Sequence, residues 1–301
     1  MNIYLPIAEM SVNMFLILGL GAITGVLSGM FGVGGGFLMT PLLIFIGVPP
    51  AVSVSTVANQ IIASSVSGFL AHWRRGNVDF KMGLYLLAGG MTGSTLGVAL
   101  FRWLRQLGYI DLFISLIYVM FLGIIGAMMA GESLRAILKA PKKLQPDDKP
   151  TLAARLPLKR EFPKSKLHIS IIMPIGIGFF VGIMVSLMGI GGGFFLIPAM
   201  IYLLGMPTGV VIGTSLFQII FITANVTLLQ AITTQTVDVM LALLLLSGSV
   251  VGAQFGTRIG AKLPGEYLRA MLAALVLGVA IKLAFGLFTP PADIYSVSVM
   301  E

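Results

Sequence analysis

Residues 29–41 read GMFGVGGGFLMTP, and five of the first eight residues are glycine although the stretch sits inside a long apolar tract. A helix interior loses about 1 kcal/mol for each Gly that replaces Ala. A run of this kind marks a place where the chain leaves the helical path, and its surroundings decide what that break is for.

Those surroundings are a membrane. The 301 residues are 57% hydrophobic and only 10% charged, with a mean hydropathy of +1.01, far outside the range of soluble domains. Apolar runs recur along the whole chain at the length of about 20 residues needed to cross a hydrocarbon core as helices. The alternating tracts of an outer-membrane barrel are absent, so the expected class is an all-α integral membrane protein. The start, MNIYLPIAEM, has no basic region before its first apolar segment, which argues against a cleaved signal. With no cysteine, disulfides, thiolate metal sites and thiol catalysis are excluded.

The glycine run has a twin. FGVGGGFLMTPLLIFIGVPP at Phe31 is matched by MGIGGGFFLIPAMIYLLGMP at Met188. The match continues as Gln60 with Gln218, Asp79 with Asp238 and Gly93 with Gly252. Each half offers five apolar segments, near 11–30, 37–48, 51–71, 81–101 and 110–130, then near 168–188, 194–205, 208–230, 238–257 and 266–288. Between the halves, Glu132 to Lys166 carries ten of the nineteen basic residues and five prolines, with almost no apolar period. The expected organisation is a first transmembrane repeat (1–131), a basic cytoplasmic loop (132–166) and a second transmembrane repeat (167–301). Despite the net charge of +8, a basic juxtamembrane loop is a topology signal rather than a nucleic-acid surface, and no nucleic-acid partner is expected.

Charge also orients the halves. The first-half turn HWRRGNVDFK is basic and its counterpart AITTQTVDV has no Lys or Arg, so the two are expected on opposite sides. Arg258, Lys262 and Arg269 then fall in the cytoplasm, while Arg102 and Arg105 fall outside, a mild conflict with the positive-inside rule. The simplest architecture is two inverted-topology repeats, each a Gly-broken helical hairpin plus three transmembrane helices, with about 8–10 membrane segments in all. The expected location is the inner (plasma) membrane, multi-pass, with both termini outside.

Phe37 to Val48 is too short to span alone, at about 18 Å of helix. It must pair with the segment before it, so Gly32 to Gly36 turns at depth, where irregular backbone survives only against protein or a cavity. Free N–H groups at such a turn, together with the positive end of the helix that follows, favour an anion without any charged side chain. The expected anion contacts are therefore Gly34, Gly35, Gly36 and Phe37 in the first half and Gly191, Gly192, Gly193 and Phe194 in the second. Flanking helices add uncharged polar candidates: Ser55, Thr56, Asn59 and Gln60, and Thr214, Ser215, Gln218 and Asn225. Close helix packing is the better account of an isolated glycine run and an equal one for the Ser and Thr hydroxyls, while Gln60 and Gln218 favour the site because both copies keep the amide. Two matched runs, each opening a half-length helix, favour the anion site.

Charged residues within the spans are few. Asp79 and Asp238 stand where helix N-capping accounts for them, and Lys282 can snorkel to an interface. Neither His72 nor His168 has a metal-ligand partner at suitable spacing, so no metal is expected. The GxxxxGK[ST] and HExxH patterns are absent. No nucleophile, base and orienting group come together, which makes a membrane-embedded enzyme the least favoured reading and an anion channel the nearer alternative.

The paired GVGGGF and GIGGGF motifs, each followed by proline as in FLMTP and FLIP, with STVANQII and GTSLFQII next, resemble the TauE/SafE family of sulfite exporters and related anion transporters. The resemblance covers roughly residues 12–288. It implies a secondary transporter, exporter or importer, of a small sulfur-containing anion such as sulfite, a sulfonate or sulfoacetate, working without a cofactor in the lipid bilayer. A coupling ion (H+ or Na+) and assembly as a homodimer stay open at this point.

Overall fold

The computed structural model describes residues 2–31, 35–138, 158–165, 167–260 and 265–288. Among these residues, ten helices and two short hairpins follow one another in a repeated order. The first half runs β1 (Asn2–Leu5), β2 (Met10–Asn13), α1 (Met14–Phe31), α2 (Gly36–Phe45), α3 (Pro50–Arg74), α4 (Phe80–Gln106) and α5 (Ile110–Leu138). The second runs β3 (Lys159–Phe162), β4 (Leu167–Ser170), α6 (Ile172–Met188), α7 (Gly193–Tyr202), α8 (Thr208–Thr233), α9 (Val239–Gly260) and α10 (Gly265–Phe288). Among the described residues, six helices (α3, α4, α5, α8, α9 and α10) are long and apolar enough to cross a membrane, and α1, α2, α6 and α7 are shorter apolar helices. The protein is an all-α integral membrane protein, as its composition requires.

Two segments differ from the reading of the sequence. The opening residues form an antiparallel hairpin pairing Asn2 with Asn13 and Leu5 with Met10. The tract 132–166, read as a polar loop with room for a short surface helix near Leu134, is divided: the helix there is the continuation of α5 to Leu138, and Lys159 pairs with Ser170 in a second hairpin. Four-residue strands around a turn leave too little periodicity to be heard beside 20-residue apolar helices. One signal was present, because Pro6 and Pro163 both open their hairpin turns and are separated by the same 157 residues as Phe31 and Met188. The remainder of that tract, 139–157 with Lys166, lies outside the described residues.

The helices pack in equivalent pairs. α1 lies along α9, where Gly252 and Gly256 press on the backbone of Ala22 and Val26. α4 lies along α6, where Gly89 and Gly93 press on Ile175 and Phe179. In both pairs residue numbers rise together, so the partners run parallel, and a Cβ on either face would overlap the facing carbonyl. Small residues are what let two helices approach this closely in a membrane. α3 and α8 cross antiparallel: Thr56, near the start of α3, meets Asp238 beyond the end of α8, and His72, near the end of α3, meets Gly213 near the start of α8. α4 follows α8 in parallel, from Asp79 at Thr214 to Ser94 at Asn225.

These directions sort the charges. One end of the bundle gathers Arg74, Arg75, Lys81, Lys159, Arg160, Lys164 and Arg258, and Lys164 Nζ donates to Gly76 O at 3.2 Å there. The other end carries Arg105, which donates to Thr234 O, and Asp111, which accepts from Ala51 N–H at 3.2 Å. The outer surface is apolar: Leu112, Leu116, Met120, Ile124 and Met128 form an exposed stripe along α5, as a lipid-facing helix should.

Candidate functional site

Each half contains a ten-residue helix that begins deep in the bundle. Gly35 caps α2 in the left-handed region (φ 63°), and Gly192 caps α7 likewise (φ 78°). Glycine adopts this conformation at no steric cost, whereas other L-residues lose roughly 1–2 kcal/mol. Their carbonyls receive the first turn of each helix: Leu38 N–H and Met39 N–H donate to Gly35 O at 3.2 Å, and Phe195 N–H and Leu196 N–H to Gly192 O at 3.1 and 2.8 Å. The preceding N–H groups, those of Gly36, Phe37, Gly193 and Phe194, donate to no described residue, although all four residues are buried. Free N–H groups and the positive dipole end at a helix start favour a negative charge nearby.

The two breaks meet. The Phe37 and Phe194 rings stack with centroids 4.8 Å apart and planes 11° from parallel. A Cβ at Gly36 would lie 2.9 Å from Gly189 O, and the Ile61 side chain of α3 fits between Gly36 and Gly191. Tyr118, fully buried on α5, donates its hydroxyl to Met188 O at the end of α6, just before the second break. The sequence singled out neither Ile61 nor Tyr118, since an apolar residue beside Gln60 and a tyrosine in a lipid-facing helix carry no motif. A groove of about 430 Å³ between α6 and α7, lined by Ile172, Ile177, Phe180, Phe195 and Leu203, is almost wholly apolar and offers nothing to an anion.

Flanking polar residues take two kinds of place. Thr56 and Thr214 are buried at the joints between halves: Thr56 Oγ1 accepts from Asp238 N–H at 3.1 Å, and Thr214 Oγ1 from Asp79 N–H at 3.0 Å. Ser55 shares a 2.6 Å hydroxyl contact with Thr236, and Ser215 donates to Ile212 O within its own helix. Gln218 is buried against α4, its Nε2 donating to Leu86 O at 3.3 Å, and Asn225 Nδ2 donates to Ser94 Oγ at 2.8 Å. Gln60 and Gln218 each keep a buried Oε1 with no partner among the described residues, while Asn59 is half-buried. Gly191 is buried at the second break with φ 78°. Gly34 lies outside the described residues. Among the described residues, no group of His, Asp and Glu could hold a metal ion.

Known proteins match this arrangement over nearly its whole length. The family model described as sulfite exporter TauE/SafE matches residues 17–283. A Bacillus subtilis protein named "Probable membrane transporter protein YjnA" is 30% identical over 279 residues, covering 91% of this chain and all of the relative. A second B. subtilis protein, "Probable membrane transporter protein YunE", is 28% identical over 90% of this chain and 97% of its own length. The Arabidopsis thaliana "Sulfite exporter TauE/SafE family protein 3" is 32% identical over 77 residues, 26% of this chain and 16% of the plant protein. No solved structure matches significantly. The chain belongs to the TauE/SafE family and is a multi-pass membrane transporter, not an enzyme.

Proposed function

We propose that this transporter carries a small sulfur-containing anion, sulfite, a sulfonate or sulfoacetate, by alternating access, and that the anion binds where the two glycine breaks meet. The observation that carries this reading is the pair of half-length helices whose buried first N–H groups, at Gly36, Phe37, Gly193 and Phe194, have no acceptor among the described residues. Two helix starts directed into one buried region present converging donors and two positive dipole ends, and they avoid the desolvation cost of a buried cation. Gly35, Gly191 and Gly192 shape the concavity. Gln60 and Gln218 stand one residue from Ile61 and Ile219, which line the breaks, and each keeps a buried Oε1 without a partner among the described residues. The relatives' printed names supply the sulfur chemistry.

In this reading the halves are inverted repeats, 1–131 and 167–301, that rock against each other about the shared site. Antiparallel packing of α3 against its counterpart α8 supports the inversion. The end of the bundle rich in Lys and Arg is cytoplasmic, together with the 132–166 tract, and the protein sits in the plasma membrane with its N-terminal hairpin outside.

Counterflow in proteoliposomes loaded with sulfite, sulfate, thiosulfate, sulfoacetate or taurine tests the function. Saturable uptake stimulated by one of these anions on the far side is expected. Uptake that never saturates and shows no trans-stimulation identifies a channel, and no flux of any sulfur anion removes the substrate assignment.

A further inference from the structure

The two hairpins are fastened to the bundle by the same device. Asp79, buried at the start of α4, accepts from Met82 N–H through Oδ1 at 3.1 Å, and through Oδ2 from Ser165 N–H at 3.2 Å and Ser165 Oγ–H at 2.5 Å. Asp238, at the start of α9, accepts from Leu241 N–H through Oδ1 at 3.0 Å and from Ile7 N–H through Oδ2 at 3.1 Å. One oxygen therefore caps the aspartate's own helix, and the other holds the hairpin turn of the opposite half. N-capping alone explains the first oxygen and leaves the second without a purpose.

Each hairpin covers one end of the bundle. Leu5, Ala8 and Val12 belong to a buried cluster with Met39 and Leu43 of α2, Leu241 of α9, and Ile61, the side chain between the two breaks. Phe162 and Ile169 belong to another with Leu196 and Met200 of α7, Met82 of α4, and Val181 and Val185, which flank Gly192. A continuous buried apolar cluster thus links each hairpin to a glycine break. One cluster lies toward the end of the bundle where α3 starts, the other toward the end where α3 finishes.

We infer that the two hairpins are the opposed gates of the transport path, and that Asp79 and Asp238 are the positioning residues that hold them shut. The inference rests on the alternating-access reading above but not on the identity of the anion. Opening one gate requires releasing one Oδ2 while the cap through Oδ1 survives.

Asparagine separates the two functions. D238N retains an Oδ1 for Leu241 N–H but presents an NH₂ that cannot accept from Ile7 N–H. D79N does the same to Ser165 N–H, yet the Ser165 hydroxyl can turn and accept from the new amide, so its gate loosens less. Because the chain has no cysteine, V12C and I169C report on the gates singly. Both positions are buried, at 7% and 3% exposure. In purified protein without substrate, D238N should raise the thiol-labelling rate of V12C about tenfold, the scale of one lost hydrogen bond to a charged group, and leave I169C unchanged or slower. D79N should raise I169C by a smaller factor and spare V12C. S165A, which removes one donor and leaves Asp79 intact, should act like a weak D79N and serves if D79N fails to fold. Unchanged labelling in D238N, or equal acceleration at both reporters, overturns the inference, because a purely structural aspartate loosens both ends together. No anion is needed for this readout, so failure of the sulfur-anion reading leaves it decisive.

Discussion

The α1–α9 and α4–α6 pairs are equivalent in position, and each is zipped by glycines on backbone, with Gly252 facing Ala22 and Gly93 facing Phe179. They differ in what else joins them. Ser186 of α6 donates to Ser94 O of α4 at 2.9 Å, and Gln230 of α8 donates to Ser186 O at 3.1 Å. At the corresponding sequence positions of the other pair stand Gly29 in place of Ser186 and Ala253 in place of Ser94. Shared glycines set the architecture of both pairs, and these hydrogen bonds tie α4, α6 and α8 further together. Each pair draws one helix from each half, so the difference lies between the two pairs and not between the two halves.

The largest effect should come from spoiling the shared feature. G93A or G252A places a methyl group on a facing carbonyl, and relief requires the helices to separate, at a cost of about 1–3 kcal/mol or more. A large drop in the thermal unfolding midpoint in detergent is expected for both, and equal tolerance of both would show that close approach is not what these glycines provide. G35A and G192A come next, since each places a Cβ in the left-handed region at roughly 1–2 kcal/mol and crowds the break. The second would meet Val181 Cγ1 at 2.8 Å. Transport should fall at least tenfold with folded protein still recovered, and transport at the wild-type rate would contradict the role given to the breaks.

T56V and T214V should each leave an aspartate N–H without its acceptor, at about 1–3 kcal/mol, in matching amounts because the two joints match. A smaller and more discriminating change is S186A, expected to cost about 1 kcal/mol. A253S in the opposite pair should change stability by less than about 0.5 kcal/mol. If A253S and S186A shift the unfolding midpoint alike, the two helix pairs are not mechanically distinct. Topology has its own check: a cysteine at Thr233 should react with an impermeant thiol reagent in whole cells and one at Asn77 should not, and the reverse pattern would invert the orientation.

Much of this was legible in the chain. The ten apolar segments fall on the ten helices because hydrophobic runs dominate secondary structure in a membrane, and the early end of α2 follows from the shortness of the run after Phe37. The hairpins were not legible as structure, because strands such as KREF have no apolar alternation beyond one buried Phe162. Asp79 and Asp238 were recognised as caps, but the second oxygen of each is spent on residues 86 and 231 positions away, a relation no local pattern records. The meeting of the breaks at Phe37 and Phe194, and the Tyr118 hydroxyl at Met188 O, likewise arise only when the halves are packed together.

The central claim is that an anion sits at the junction of the glycine breaks, and equilibrium binding of radiolabelled sulfite to purified wild-type, G35A and G192A protein tests it most directly. Saturable binding to the wild type, competed by sulfoacetate or another sulfonate and weakened at least tenfold in both variants, is the predicted result. Wild-type affinity in both folded variants would place the anion elsewhere and contradict the account.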